Sequence, residues 1–171
     1  GHSCVTTDLE DSVITALEYF LDHGHKEIGL LVGQEETADA TPLQMDPRQR
    51  TFQQYLTEKG LYEERFISVG QFSTESGYQL IQDLGDDLPT AFFMASDALA
   101  VGALRSLQEH QIAIPDRVSI ISFNDTSIAK YVFPALSTVT VYTEEMGKQA
   151  IQMLRQAFQG NQPSVPYMVK L

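Results

Sequence analysis

Two hydrophobic periods alternate along most of this chain. Short, continuously apolar runs such as "EIGLLVG" and "TAFFMA" are typical of strands that are buried on both faces of a sheet. Between these runs, apolar residues recur every three or four positions, which is typical of amphipathic helices. The first helix shows this spacing at Val13, Ala16, Leu17, Phe20 and Leu21. The alternation predicts parallel βαβ units and hence an α/β fold, a doubly wound and mostly parallel sheet flanked by helices.

Several predicted elements carry recognisable end signals. Asp46 followed by Pro47 predicts the start of the second helix, because a short acidic side chain caps a helix and proline fits its first turn. Either Ser73 or Thr74 could cap the third helix. A fourth helix begins at "SDALAVG", directly after "TAFFMA", and the strand "VSIISFN" follows it. The rhythm then breaks into an extended "FPALSTVTV", a helix "YTEEMGKQAIQMLRQAFQG" and an extended "PSVPYMVKL".

Composition narrows the class of function. With 171 residues and 43% hydrophobic content, the chain is long enough for an ordinary globular core. Its formal net charge of −12 makes it a poor binder of nucleic acid, because phosphate contacts need Lys and Arg. The single cysteine, Cys4, excludes an internal disulfide, and no apolar run approaches the roughly 18 residues of a membrane-spanning helix. The chain opens without an initiator Met, so we expect a piece of a longer protein.

Polar and aromatic side chains follow the predicted strands. Because the carboxyl ends of parallel strands lie at one edge of a sheet, these residues are expected to converge there. Together they offer a guanidinium group, carboxylates, amide and hydroxyl groups and an aromatic ring, a set suited to a polyhydroxylated ligand. The residues are Asp46, Arg48, Phe72, Ser96, Asp97, Asn124 and Asp125.

Each of these residues also has an ordinary structural interpretation. Ser96 and Asp97 could both serve as helix caps, and the segment 124–126 could be ordinary turn chemistry. Arg48 taken alone is typical of a solvated helix residue, and Phe72 taken alone is typical of a core residue. Only their joint position at strand ends favours ligand binding.

The sequence lacks the motifs of catalysis. It contains no GxSxG, HExxH or CxxC motif and no glycine-rich phosphate loop between a strand and a helix. Cys4 has no neighbouring base, and the histidines and carboxylates are not clustered at metal-ligand spacing. We therefore expect a protein that is not an enzyme and that needs no metal and no cofactor.

The same segments resemble the effector-binding core of the lactose/galactose-repressor (LacI/GalR) family of bacterial transcription regulators, which is similar to periplasmic sugar-binding proteins. The resemblance covers nearly the whole chain. It rests on "VTTD", "LDHGHKEIGLLVG", "RQRTFQQYL" and "SGYQLIQDL", and most specifically on "PTAFFMASDALAVGALRSLQEHQIAIPDRVSIISFND". The phrases "FNDTSIAKYVFPALSTV" and "TEEMG" look most like the galactose-type repressors of Gram-positive bacteria.

This resemblance implies roles for the strand-end residues. Arg48 would hold ligand hydroxyls, Asp46 would bind the ligand beside it, and Phe72 would stack on the ligand. Ser96 and Asn124 would also contact the ligand, although the family more often has Asn and Asp at these two positions. Losing a carboxylate at Asn124 removes a charge-assisted acceptor, which bears on which sugar is bound. Asp97 would cap its helix and Asp125 would hold the turn.

The resemblance also implies domains and partners. Residues 4–136 would form the C-terminal lobe of a periplasmic-binding-protein-like core, and residues 137–171 would supply crossover segments and one helix of the N-terminal lobe. The helix-turn-helix domain and most of that lobe would lie outside this chain. The whole protein would be a cytoplasmic repressor that binds a sugar effector and reaches operator DNA only through that domain. The core would dimerise through residues whose alternative is core packing: Leu99, Val101, Leu104, Tyr131 and Phe133.

Two further functions remain open at the level of the sequence. One is a periplasmic or lipoprotein sugar-binding protein of a transport system, which shares the fold and would carry a signal peptide upstream. The other is a core that responds to a phosphorylated partner protein, as the related catabolite-control regulators do. The segment "IPDRVSIISFND" favours a regulator over a transport receptor.

Overall fold

The computed structural model describes residues 3–34, 45–160 and 168–170. The helices within these ranges are α1 Leu9–Asp22, α2 Pro47–Glu58, α3 Thr74–Leu84, α4 Asp97–Glu109 and α5 Thr143–Phe158. The strands are β1 Cys4–Thr6, β2 Ile28–Gly33, β3 Ile67–Gly70, β4 Ala91–Met94, β5 Ser119–Asn124, β6 Ser137–Thr140 and β7 Met168–Lys170. Two short 3-10 turns lie at Glu64–Phe66 and Ser127–Lys130.

The main sheet has five parallel strands in the order β3-β2-β4-β5-β6. The predicted α/β class is therefore confirmed. The chain leaves β2 toward β3 on one side and returns to β4 on the other, so the strand order reverses between β2 and β4. In open sheets of this kind, ligands bind at that reversal, outside the carboxyl ends of the strands.

Two apolar clusters cover the two faces of this sheet. Alternate residues of each central strand point to opposite faces, so that Phe93 belongs to the cluster with α1 and α2 while Phe92 belongs to the cluster with α3 and α4. Both rings are fully buried. Burial on both faces is the reason why these strands have continuously apolar sequences.

Local capping fixes where the helices begin. Asp46 accepts a hydrogen bond from the Arg48 backbone N–H at 2.8 Å and Pro47 opens α2, as the sequence predicted. Ser73, rather than Thr74, caps α3 by accepting a hydrogen bond from the Ser76 N–H at 3.1 Å.

The outer strands pair in two separate sheets. β6 is the fifth strand of the main sheet, through pairs such as Phe123 with Val139, so the main unit continues past residue 136. β1 lies outside that sheet and pairs in parallel with β7, with Val5 opposite Val169. The division of the chain into two lobes after residue 136 stays a prediction. That α5 and β7 belong to a second lobe stays a prediction.

Candidate ligand-binding edge

The carboxyl edge of the main sheet brings together most of the residues expected there. α2 carries Arg48 to this edge, Phe72 follows β3, Ser96 follows β4, and Asn124 ends β5. The reversal of strand order between β2 and β4 lies in the middle of the edge. Sheets of this class bind their ligands at such an edge, which makes it the candidate site.

Arg48 is the most strongly oriented side chain at the edge. Its Nε and Nη2 donate to the two carboxylate oxygens of Asp46 at 2.9 and 2.7 Å, a two-point ion pair. Its Nη1 donates to the backbone carbonyl of Ala95 at 2.5 Å, at the end of β4. The two side chains are only 13% and 15% exposed, so the pair is shielded from water. Asp46 therefore caps α2 and orients Arg48 at the same time.

This arrangement leaves part of the guanidinium group available. Arg carries five N–H donors, and three of them are used by Asp46 and Ala95 within the described residues. One N–H on each terminal nitrogen has no partner there. Arg48 can therefore donate two hydrogen bonds to a ligand without giving up the contacts that hold it.

Two aromatic rings enclose the guanidinium group. Its central carbon lies 5.0 Å from the ring centre of Phe72 and 5.3 Å from that of Phe123, within the range of a cation–π contact. The Phe72 ring lies directly against Gly33 at the end of β2, where any side chain on that glycine would collide with the ring. Phe72 is half-buried at the edge. Phe123 was not among the predicted site residues, although its position immediately before Asn124 on an apolar strand was a usable signal.

The structure corrects the predicted cap of α4, which is Ser96 and not Asp97. Ser96 is the helix cap, because its Oγ accepts a hydrogen bond from the Leu99 N–H at 3.2 Å. Ser96 is also only 6% exposed, which leaves it little surface to offer a ligand. Asp97 does not cap α4 but points inward, where it is 1% exposed and bonds to groups on β5, β6 and the turn after β5. Both residues are short and polar, so the local sequence alone could not separate the two roles.

Asn124 and Asp125 form a turn in an unusual backbone conformation. Their φ angles are +110° and +52°, in a region that residues other than glycine rarely adopt. The Asp125 carboxylate accepts a hydrogen bond from Thr140 Oγ1 at 3.0 Å, and the Asp125 N–H donates to Thr138 Oγ1 at 3.1 Å. Asp125 thus holds the turn, while the half-buried Asn124 lies at the carboxyl edge of the sheet.

The five residues considered for a dimer interface fall into two groups. Leu99 and Leu104 are 0% and 2% exposed within the chain itself, so their side chains are core residues. This is the alternative that helical spacing left open. Tyr131 and Phe133 are 83% and 86% exposed, and Val101 is partly exposed. These three remain available to a partner.

The opposite edge of the sheet has a different chemistry. His25, at the amino end of β2, contacts Thr90 Oγ1 at 3.0 Å and packs edge-on against Phe20. Burial lowers the pKa of His25 below its usual value, and the nearby His23 lowers it further. Among the described residues, no group of three or more His, Cys, Asp or Glu side chains is arranged to hold a metal ion. In the same part of the chain, no helix is both long and apolar enough to cross a membrane.

The fold and the edge define the class of a periplasmic-binding-protein-like core. A family model described as a periplasmic binding protein-like domain matches residues 17–169, which is most of the chain. Among solved structures, a regulatory protein of the LacI family from Chloroflexus aggregans superposes with a TM-score of 0.86 at 25% identity, over 99% of this chain and 61% of that one.

Curated relatives narrow this class further. The chain is 51% identical over 174 residues to the HTH-type transcriptional regulator GalR of Streptococcus thermophilus, covering 100% of this chain and 52% of that protein. It is 41% identical over 166 residues to the HTH-type transcriptional regulator GanR of Bacillus subtilis, covering 94% and 50%. The chain belongs to the lactose/galactose-repressor (LacI/GalR) family. It spans about half the length of these curated relatives.

Proposed function

We propose that this chain is the effector-binding and dimerisation core of a sugar-responsive transcriptional repressor of the galactose type, acting in the cytoplasm on carbohydrate-utilisation genes. The observation that carries the proposal is the pre-oriented Arg48 at the reversal point of the sheet, held by Asp46 and Ala95 with two N–H groups that have no partner among the described residues. The names of the regulators that match the chain support the same function.

The chemistry of the edge suits a pyranose. The remaining N–H groups of Arg48 can donate to hydroxyl oxygens, and the Asn124 amide can both donate and accept. The exposed part of the Phe72 ring offers an apolar face for the C–H groups of a sugar ring. A cellobiose-bound regulator, CelR, superposes on this chain with a TM-score of 0.85 at 25% identity, over 99% of this chain and 51% of that one, which supports a sugar as the ligand class.

The carboxylates that the structure describes at this edge are already engaged by protein donors. Asp46 is occupied by Arg48, and Asp97 is occupied by its own four donors. At the end of β5, Asn124 supplies an amide instead. We therefore expect the groups at this edge to bind the ligand with modest affinity. Specificity should depend largely on the direction in which Arg48 donates its hydrogen bonds.

Dimerisation and DNA binding are the remaining parts of this proposal. Val101 lies on α4, while Tyr131 and Phe133 follow the 3-10 turn Ser127–Lys130. The Phe133 carbonyl accepts a hydrogen bond from Gln108, which connects this segment to α4. Large exposed aromatic side chains are typical of interfaces. The acidic chain is a poor DNA ligand, so operator contacts would come from another part of the whole protein. Effector binding would then shift the population between DNA-competent and released dimers.

The test is a titration of the intact repressor with galactose and other simple sugars by isothermal calorimetry. Arg48→Ala should lower the affinity for the sugar about 100-fold, since two hydrogen bonds from a charged donor are lost. Arg48→Lys should also bind weakly, because an ammonium group cannot replace the two-point donor. Phe72→Ala should weaken binding about tenfold through the lost ring face.

Arg65→Ala is the matched control for charge. Arg65 is half-exposed and pairs with Glu63 and Asp87 near the amino end of β3, away from the candidate edge. Its removal changes net charge as Arg48→Ala does and should leave sugar affinity unchanged. Equal affinities for the Arg48 variants and the wild type would place the ligand site elsewhere.

A further inference from the structure

Asp97 occupies a position that neither capping nor ligand contact explains. It is 1% exposed, and its carboxylate accepts four hydrogen bonds. Oδ1 accepts from Ser122 Oγ on β5 at 2.6 Å and from Thr138 Oγ1 on β6 at 2.9 Å. Oδ2 accepts from both the backbone N–H and the Oγ1 of Thr126 at 2.6 and 2.8 Å. One buried carboxylate therefore joins the start of α4 to two strands and to the turn that follows Asn124.

The same network fixes the unusual backbone at Asn124 and Asp125. Thr138 Oγ1 donates to Asp97 and accepts from the Asp125 N–H, so the hydroxyl group bridges the carboxylate and the turn. Thr126, on the far side of the turn, is held by Asp97 directly. A backbone in a rarely populated region persists only where its surroundings hold it, and Asp97 and Thr138 supply this restraint.

The network also reaches the segment that leaves the main sheet. β6 ends at Thr140, and the chain passes through Val141 and Tyr142 into α5. Thr140 Oγ1 donates to the Asp125 carboxylate at 3.0 Å, and the Val141 N–H donates to the Asn124 carbonyl at 3.5 Å. The turn at the ligand edge and the crossover to α5 are therefore bonded to each other.

We infer that Asp97 is a positioning residue for effector binding, which acts by holding the Asn124–Asp125 turn against β6 through Thr138. This inference rests on the proposed function, because it assigns a role within the same site. In the bound state, the held turn presents the Asn124 amide in one direction. It also passes any displacement of Asn124 to the crossover at Val141.

The experiment compares four variants of the intact repressor. Thr138→Val keeps the shape of the side chain but removes the bridging hydroxyl, whereas Thr138→Ser retains the hydroxyl. Asp97→Asn leaves one acceptor oxygen for two pairs of donors. Ser106→Ala is the control for stability, since Ser106 is equally buried on α4 and accepts a hydrogen bond from Gln82 at 2.9 Å, away from the edge.

Sugar affinity and backbone hydrogen exchange are measured on each variant. We expect Thr138→Val and Asp97→Asn to weaken sugar binding about tenfold, while Thr138→Ser and Ser106→Ala stay within about twofold of the wild type. We also expect the amides of Asp125 and Val141 to exchange faster in Thr138→Val than in Ser106→Ala. Should Asp97→Asn fail to fold, the two Thr138 variants decide the question.

Two different failures can be told apart. If Thr138→Val and Thr138→Ser bind sugar equally and protect Asp125 and Val141 equally, Asp97 does not position the turn and the inference is wrong. If the wild-type repressor binds none of the sugars, the proposed function fails instead. The exchange measurement then still decides whether the network holds the turn.

Discussion

The five-stranded unit and the α5 region of this protein are stabilised in different ways. In the main unit, both faces of the sheet are covered and α4 alone has eight buried residues. In α5, no residue is buried, and Ile151, Leu154 and Phe158 are 65%, 54% and 89% exposed. The α5 region is held by contacts with β1, by the pairing of β1 with β7 and by an ion pair. Substitutions should therefore lower the free energy of unfolding strongly in the five-stranded unit and only slightly in the α5 region.

Of the substitutions that test this difference, Gly102→Ala should have the largest effect on the free energy of unfolding. A methyl group on Gly102 would overlap the Thr74 carbonyl and the Tyr78 N–H, because α3 and α4 cross with their backbones in close contact. Backbone cannot move aside as a flexible side chain does, so we expect a loss of about 3 kcal/mol in the free energy of unfolding. Urea denaturation followed by circular dichroism measures it. An unchanged midpoint would show that the two helices are not this tightly packed.

Gly147→Ala should have a smaller effect, and one of opposite sign. Gly147 lies inside α5, and a methyl group added to it would have no neighbour within 4 Å among the described residues outside its own helix. Replacing an exposed helical glycine with alanine stabilises a helix by about 0.5–1 kcal/mol. The same denaturation assay tests this, and a clear destabilisation would mean that α5 packs more closely than the contacts indicate.

The pH dependence of the β1–β7 pairing should show the smallest effect. Lys170 Nζ on β7 lies 3.0 Å from the Asp8 carboxylate, the cap of α1. The hydrogen bond from Lys170 lowers the pKa of Asp8 below its ordinary value of 3.8, and Asp8 in turn raises the pKa of Lys170 above 10.5. Because the folded pKa of Asp8 is depressed, its contribution is complete above 3.8 and is lost as pH falls through the folded value. The contribution of Lys170 is complete below 10.5 and is lost as pH rises through its folded value.

Hydrogen exchange of residues 168–170 measures this dependence. The protection of these amides should be highest between pH 3.8 and pH 10.5, and it should fall slightly in acid. Both groups are exposed, so salt should screen the effect. Lys170→Met should reduce the acid dependence of protection at residues 168–170 while leaving the exchange of β4 unchanged. An acid dependence as large in Lys170→Met as in the wild type would assign it to groups other than the Lys170–Asp8 pair.

The candidate edge was partly readable from the sequence, and the reason is local. Asp46, Pro47 and Arg48 lie within one helical turn, so the cap and the ion pair form between neighbours. The apolar runs that predict the strands also show where the strands end, and this located Phe72 and Asn124. The Ala95 carbonyl that completes the Arg48 site could not be predicted, because it lies 47 residues away and depends on which strand is adjacent to β2.

By itself, the sequence determined the alternation of strands and helices, the helix starts and the polar residues that follow each strand. These features depend on spacing and on hydrogen bonds between residues a few positions apart. Only the tertiary structure decided the strand order, the pairing of β1 with β7, the burial of Leu99 and Leu104, and which of Ser96 and Asp97 caps α4. Asp97 shows the physical reason most clearly: its donors lie 25 to 41 residues away, and only folding brings them to one carboxylate.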